Sequence, residues 1–322
     1  MQTSDTAVRS ADGAAGDGIA SGGRPSSRRA RTVFVVVLLV VVGFVARSLV
    51  TEGSDSVLVR WLPWMQKTPV TLFFGDATSD RLVPVSRGLG RVGATPEGLL
   101  DALLAGPTEG IGLRSLVPAG TSVAGVDLTG STLTVDLAGD VMELSAPLTR
   151  RAVFASLASW PGVDQVIVTV DGTAIAPPTE PLLYFYDEPR DMLVAEPTIA
   201  ADPRELATAF LAGPGDPALT GLPTDVTLNS FGVNQDNGLL TLEMSYVPSL
   251  RQFALDHPDA VRRVLVGFIT TMTTAFPQVD AVYLDFEGHA TLGLGQCADL
   301  LRSAQLTPET INDERVLARY GT

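Results

Sequence analysis

WPGVDQVIVTVDG, residues Trp160–Gly172, returns as FPQVDAVYLDFEG at Phe276–Gly288. Each copy opens on an aromatic–proline turn, runs through β-branched residues and closes on an acidic residue followed by glycine. Valines 163, 166, 168 and 170 fall mostly on one face of an extended chain. The run therefore predicts a strand buried on one side. A stretch this specific, found twice, points to a duplicated domain.

Outward from it, three more blocks repeat in the same order. Leu133–Leu137 (LTVDL) matches Leu240–Met244 (LTLEM), and Leu99–Pro107 (LLDALLAGP) matches Leu206–Pro214 (LATAFLAGP). Val70–Asp76 (VTLFFGD) matches Pro181–Asp187 (PLLYFYD), with Leu82-Val83 and Leu193-Val194 following at the same offset. Thr95-Pro96-Glu97 offers an N-cap with proline at the first helical position. Asp202-Pro203-Arg204-Glu205 repeats it as a capping box. Gly106-Pro107 and Gly213-Pro214 stop each helix. Thr129-Gly130-Ser131 and Asp236-Asn237-Gly238 read as hairpin turns, the Asn-Gly pair strongly so. Second helices are predicted at about 148–159 and 258–275. The predicted order is strand, helix, strand, strand, helix, strand. That makes each copy an α+β domain, a small, mostly antiparallel sheet packed on two helices. The domains run 69–177 and 181–290, with Pro177-Pro178 in the linker. Residues 291–322 have no counterpart in the repeat, and Thr307-Pro308-Glu309 there reads as a helix start.

Composition excludes several functions. The chain has 322 residues, room for two domains, with 22 basic and 36 acidic side chains and a formal charge of −14. An acidic body is ill suited to neutralising phosphates, so nucleic acid is not an expected partner. One cysteine excludes an intramolecular disulfide framework, and two histidines, His257 and His289, leave little for a histidine metal site.

Residues 1–31, rich in Gly, Ala, Ser and Arg, read as a disordered tail. Thr32–Ala46 carries no charge; extended to Val50 it gives a span of roughly 28 Å, a transmembrane signal anchor at 32–50 with Arg47 snorkelling. The rival reading is a cleaved signal peptide. Against it stand the long preceding segment and the absence of a small-x-small cleavage pattern. Arg24, Arg28, Arg29 and Arg31 place the N-terminus in the cytoplasm and residues 51–322 outside. Residues 51–68 form a linker in which Trp61 and Trp64 serve either as an interfacial belt or as a core cap.

The strand ending at Asp76, LVPVSR (82–87), LLDALLAGPTEG (99–110), Ser115–Pro118, LTVDL and WPGVDQVIVTVDG together resemble the GerMN domain of bacterial sporulation and germination proteins. The second copy departs from the pattern: the basic residue of LVPVSR is missing in LVAEPT (193–198). Tandem copies behind an anchor are similar to the GerM type of architecture. The resemblance implies a non-enzymatic, membrane-anchored, extracytoplasmic factor. Its expected role is to mediate protein–protein assembly in the bacterial cell envelope, with an envelope protein as partner. The alternative is a binding module for an envelope polymer of the peptidoglycan kind, or for a small ligand.

The residues themselves suggest little chemistry. Asp285, Glu287 and His289 fall on one face at strand spacing, as three metal ligands would, but equally as the solvated face of a terminal strand. Gly293-Leu294-Gly295-Gln296-Cys297-Ala298 fits a dinucleotide fingerprint in letters only, since no strand pattern follows. Asp136 and Asp140 form a carboxylate pair of the kind that cleaves glycans, or ordinary acids at a strand end. Cys297 is either packed or free to bridge two chains. The sequence therefore assigns no catalytic, cofactor or metal residues. Arg87, Arg91, Trp160, Arg262 and Arg263 are the candidate interaction residues, the arginines either receiving an acidic group or pairing with neighbouring acids.

Overall fold

A computed structural model describes residues 67–90, 93–288 and 294–318. The tail, the anchor at 32–50, Trp61 and Trp64 lie outside the described residues, as do Arg91 and His289. Among the described residues, no helix is long and apolar enough to cross a membrane.

Strand β1 (Thr68–Asp76) turns back into β2 (Leu82–Leu89) in an antiparallel hairpin. A two-residue strand β3 (Leu113–Arg114) pairs with the end of β1. In the first copy β4 (Ser122–Thr129), β5 (Thr132–Ala138), β6 (Gln165–Val170) and β7 (Thr173–Ile175) follow. The second copy supplies β8 (Leu182–Asp187), β9 (Met192–Pro197), β10 (Leu228–Asn234), β11 (Leu239–Met244) and β12 (Ala281–Phe286). The helices of the first copy are α1 (Pro96–Leu104), α2 (Val141–Leu144) and α3 (Pro147–Ala158). Those of the second are α4 (Pro203–Leu211), α5 (Pro248–Asp256) and α6 (Pro258–Ala275); α7 (Ala298–Leu301) and α8 (Glu314–Leu317) come after it.

The fold is α+β and tandem, but the expectation of one sheet per copy needs correction. The two leading hairpins merge into a five-stranded sheet ordered β3-β1-β2-β9-β8, joined where Leu82 pairs with Ala195. The rest of each copy builds its own sheet, β4-β5-β6-β7 in the first and β10-β11-β12 in the second. Each copy thus holds a second leading strand that the predicted order omits. In these smaller sheets β5 and β6 run parallel, as do β11 and β12. A parallel pair needs a crossover, and α3 and α6 supply it. Leu133, Val135 and Leu137, like Leu240, Leu242 and Met244, alternate fully inward against those helices.

Local signals act as expected. Thr95 Oγ1 accepts from Gly98 N–H at 3.1 Å, and Asp202 from Glu205 N–H at 2.9 Å. The Glu205 carboxylate reaches back one residue past the N-cap, to Ala201 N–H at 2.8 Å, a variant of the expected box. Gly106 and Gly213 take φ of 79° and 90°, which glycine adopts without strain.

The crossover helices also cover the leading strands. Ser156 Oγ and Ser159 Oγ on and after α3 accept from Phe73 N–H (2.9 Å) and Thr71 N–H (3.0 Å) of β1. Thr271 Oγ1 on α6 accepts from Tyr184 N–H of β8 at 3.0 Å. Amides at these strand edges are thereby satisfied without another strand. At the second copy's centre, Phe210 stacks between Phe185 and Phe268, with ring centroids 4.9 and 4.4 Å away.

Thr307-Pro308-Glu309 does not start a helix. The chain stays irregular until α8 opens at Glu314, because Ile311 and Asn312 are drawn into the seam between the copies, where they bend.

Candidate functional site

Among the described residues, the seam where β2 meets β9 gathers a dense set of polar contacts. At one end, Asp76 and Asp187 close the matched strands β1 and β8. Arg190 donates to both, at 2.7 Å to Asp76 and at 2.9 and 2.6 Å to Asp187. Arg81 lies 3.8 Å from Asp187 and also pairs with Asp216. Each copy therefore sends an arginine to the other copy's strand-end acid. Asp76 also accepts from Thr78 N–H, Thr78 Oγ1 and Ser79 Oγ at 2.8–2.9 Å. Burial pushes its pKa up, but the Arg190, Thr78 and Ser79 donors outweigh that and hold the carboxyl far below its usual range.

Beside Leu82 the ladder between β2 and β9 stops. Pro84 C=O faces the seam, so its nitrogen faces the same way and has no N–H to give. Asn312 fills the gap. Its Nδ2 donates to Pro84 C=O (2.6 Å) and Leu193 C=O (2.8 Å), and its Oδ1 accepts from Leu193 N–H (2.8 Å). Its backbone carbonyl accepts from Ser86 N–H at 2.9 Å, and Ile311 N–H donates to Ser86 Oγ at 2.8 Å. The side-chain amide stands in for a peptide unit of the missing ladder. Asn312 is 1% exposed.

One residue further along β2, Arg87 donates to Ala102 C=O (3.1 Å) and Gly106 C=O (2.8 Å) at the end of α1. Its guanidinium carbon lies 5.2 Å from the Phe74 ring centroid. A cation suits a helix C-terminus and an aromatic face. The remaining donors hold Glu314, Nε at 3.1 Å and Nη2 closer still, and Thr108 N–H adds a contact at 3.3 Å.

Of the other sequence candidates, Arg263 reaches this seam through Ile311, and Arg262 lies apart from it. Arg262 grips Asp299 with two 2.7 Å bonds, and Arg263 donates to Asp191 Oδ1 (3.0 Å) and Ile311 C=O (3.4 Å). Both line a cleft of about 650 Å³ with Tyr186, Asp259 and Leu306. A larger cleft of about 1110 Å³ opens around the linker, lined by Phe73, Arg151, Glu180 and Thr307 among others. Trp160 is half-buried against the core after α3.

Asp285 and Glu287 are not brought together. β12 ends at Phe286 and Glu287 turns left-handed at φ 50°, bonding Asn229 at 3.0 Å, while Asp285 receives Gly288 N–H at 3.2 Å. Asp136 binds Thr169 and Gly172 N–H, and Asp140 caps α2 through Met142 and Glu143 N–H. Cys297 is fully buried, and burial pushes its thiol up to about 11, which suits packing and not a bridge between chains. Asn312, Glu314, Arg81 and Arg190 escaped the sequence reading. Only the recurrence of Asp76 at Asp187 hinted at the cluster.

A comparison with curated proteins finds no match. Among solved structures, the tandem GerMN domains of the sporulation protein GerM from Bacillus subtilis align at 17% identity and TM-score 0.54, over 77% of this chain and 99% of that one. The first GerMN domain of the same protein aligns at 22% identity over 33% of this chain and 85% of its own, TM-score 0.27. A putative lipoprotein from Clostridium perfringens aligns at 18% over 34% and 78%, TM-score 0.22. The first of these likenesses shows the tandem fold. The family model Germane, described as sporulation and spore germination, matches residues 71–176 and 182–291, covering both halves of the seam. The chain therefore belongs to the Germane family, with two copies of its domain in tandem.

Proposed function

We propose that this chain is a membrane-anchored, non-enzymatic factor whose tandem body faces out of the cell and docks an envelope protein, in a process linked to sporulation or germination. Family membership supports the process, and the anchor reading at 32–50 supports the location. The observation that carries the docking role is a pair of equivalent open edges. β4 and β10 are the outer strands of their sheets, and both carry a bulge at the matching place, between Val123 and Gly125 and between Leu228 and Ser230. A bulge bars indiscriminate pairing at one end of an edge and leaves a regular stretch beyond it. Gly125–Thr129 and Ser230–Asn234 are those stretches, each long enough for strand addition by a partner.

Photo-crosslinking amino acids at Asp127 and Asn234, both exposed, test this in living cells against the same probe at Glu97. A discrete protein adduct is expected from the two edge positions and not from the helix position. Equal labelling from all three, or adducts with envelope glycan alone, would discard edge docking for the ligand-binding reading and turn attention to the cleft beside Arg262 and Arg263.

A further inference from the structure

Residues 311–314 are held the way a ligand is held. A seam between two strands ordinarily closes by backbone ladder, which reads no sequence. Here Pro84 prevents that, and beyond one backbone bond from Ser86 N–H closure depends on side chains. Asn312 makes three amide hydrogen bonds in a buried slot, and two residues later Glu314 enters the fork of Arg87, with Thr108 N–H beside it. The receptor groups belong to the repeats: Pro84, Ser86 and Arg87 to β2, Leu193 to β9, Thr108 to the turn after α1. Arg87 is preorganised by Ala102, Gly106 and Phe74 before any carboxylate arrives.

The approach to this slot is loosely packed. Leu306 is 69% exposed. Thr307, Pro308 and Glu309 line the larger cleft, and Pro308 and Thr310 the smaller, so residues 307–310 run between two open spaces before Ile311 turns into the core. A firm anchor behind a loose lead is the arrangement of a bound peptide on a tether.

We infer that the slot between β2 and β9, continued by Arg87 and Thr108, is a peptide-binding groove, and that Ile311–Glu314 of this chain is its resident, exchangeable occupant. The ligand class is a bent peptide segment with an amide side chain two residues ahead of a carboxylate that opens a helical turn. Specificity follows from burial. Without the amide, Leu193 N–H and the carbonyls of Pro84 and Leu193 stay enclosed without partners, and a site built on hydrogen bonds rejects analogues that cannot make them. The inference does not rest on edge docking, which uses other strands.

The test keeps the full chain and inserts a protease site after Leu306. After cleavage, a fluorescent peptide of residues 307–318 is titrated in and followed by anisotropy. Saturable binding in trans is expected. An N312A peptide should bind at least tenfold more weakly, an N312D peptide, which keeps the shape and loses both donors, should also be weaker, and an E314Q peptide should fall several-fold. Binding that does not saturate, or equal competition by the N312A peptide, overturns the proposal. So does unfolding of the cleaved chain by circular dichroism, because an exchangeable occupant requires a body that survives its departure. As a second readout on the uncut chain, N312A should speed hydrogen exchange at the Ser86 and Leu193 amides, and unchanged protection there would count equally against it.

Discussion

Asp76 is fully buried and still prefers to be ionised, because Arg190 and three local donors surround it. A carboxyl whose pKa is lower folded than unfolded adds stability above the unfolded value, near 3.8, and loses it as pH falls toward the folded one. D76N keeps the shape and removes the charge. It should cost about 1.5–3 kcal/mol at neutral pH, the worth of hydrogen bonds to a charged group. The gap to wild type should narrow once pH drops below about 4, where the unfolded carboxylate of wild type takes up its proton. Urea midpoints at pH 7, 5 and 3 measure it; a gap that stays constant to pH 3 would show that Asp76 is not held ionised by this cluster.

At the scale of elements, α6 lies so close to β8 that a Cβ at Gly267 would sit 2.3 Å from Tyr184 C=O. The hydroxyl of Thr271, one turn on, can then reach Tyr184 N–H. In an exposed helix, alanine for glycine gains about 1 kcal/mol of propensity. Here G267A must push the helix off the strand and should destabilise by about 1–3 kcal/mol, as overpacking does. Thermal unfolding decides the sign, and a higher midpoint in G267A would mean that the helix is free to shift. The first copy meets the same need differently, with Ser156 and Ser159 giving β1 two side-chain acceptors.

The whole molecule is held at its seam by the shared sheet, the crossed ion pairs and the segment around Asn312. The two copies should therefore unfold together, since separating them opens the inner edges of β2 and β9 and breaks the bonds of Asn312 to both. In a W61F/W64F background, Trp160 fluorescence reports the first copy alone, while far-UV circular dichroism reports both. The two denaturation curves should superimpose in the parent and separate when R190A and N312A are combined. Separate transitions in the parent would show that the seam is too weak to couple the copies.

Much of this was legible in the chain. The repeat, the α+β class, both capped helices and the hairpin turns follow from local periodicity, Pro and Gly, which act within a few residues of themselves. The candidate arginines were visible as charges, but their partners were not: Arg87 meets Glu314 across 227 positions and Arg263 meets Asp191 across 72. The same distance hid the merging of the leading hairpins, because a strand's own pattern states that it is buried and not which neighbour buries it. It also hid Asn312, an unremarkable polar residue in a segment without a counterpart. Sequence fixes what each stretch can form, since backbone geometry and local hydrogen bonds are short-ranged. Only the tertiary structure decided which unsatisfied groups meet, because a proline gap in one strand creates a demand that a residue more than two hundred positions away supplies.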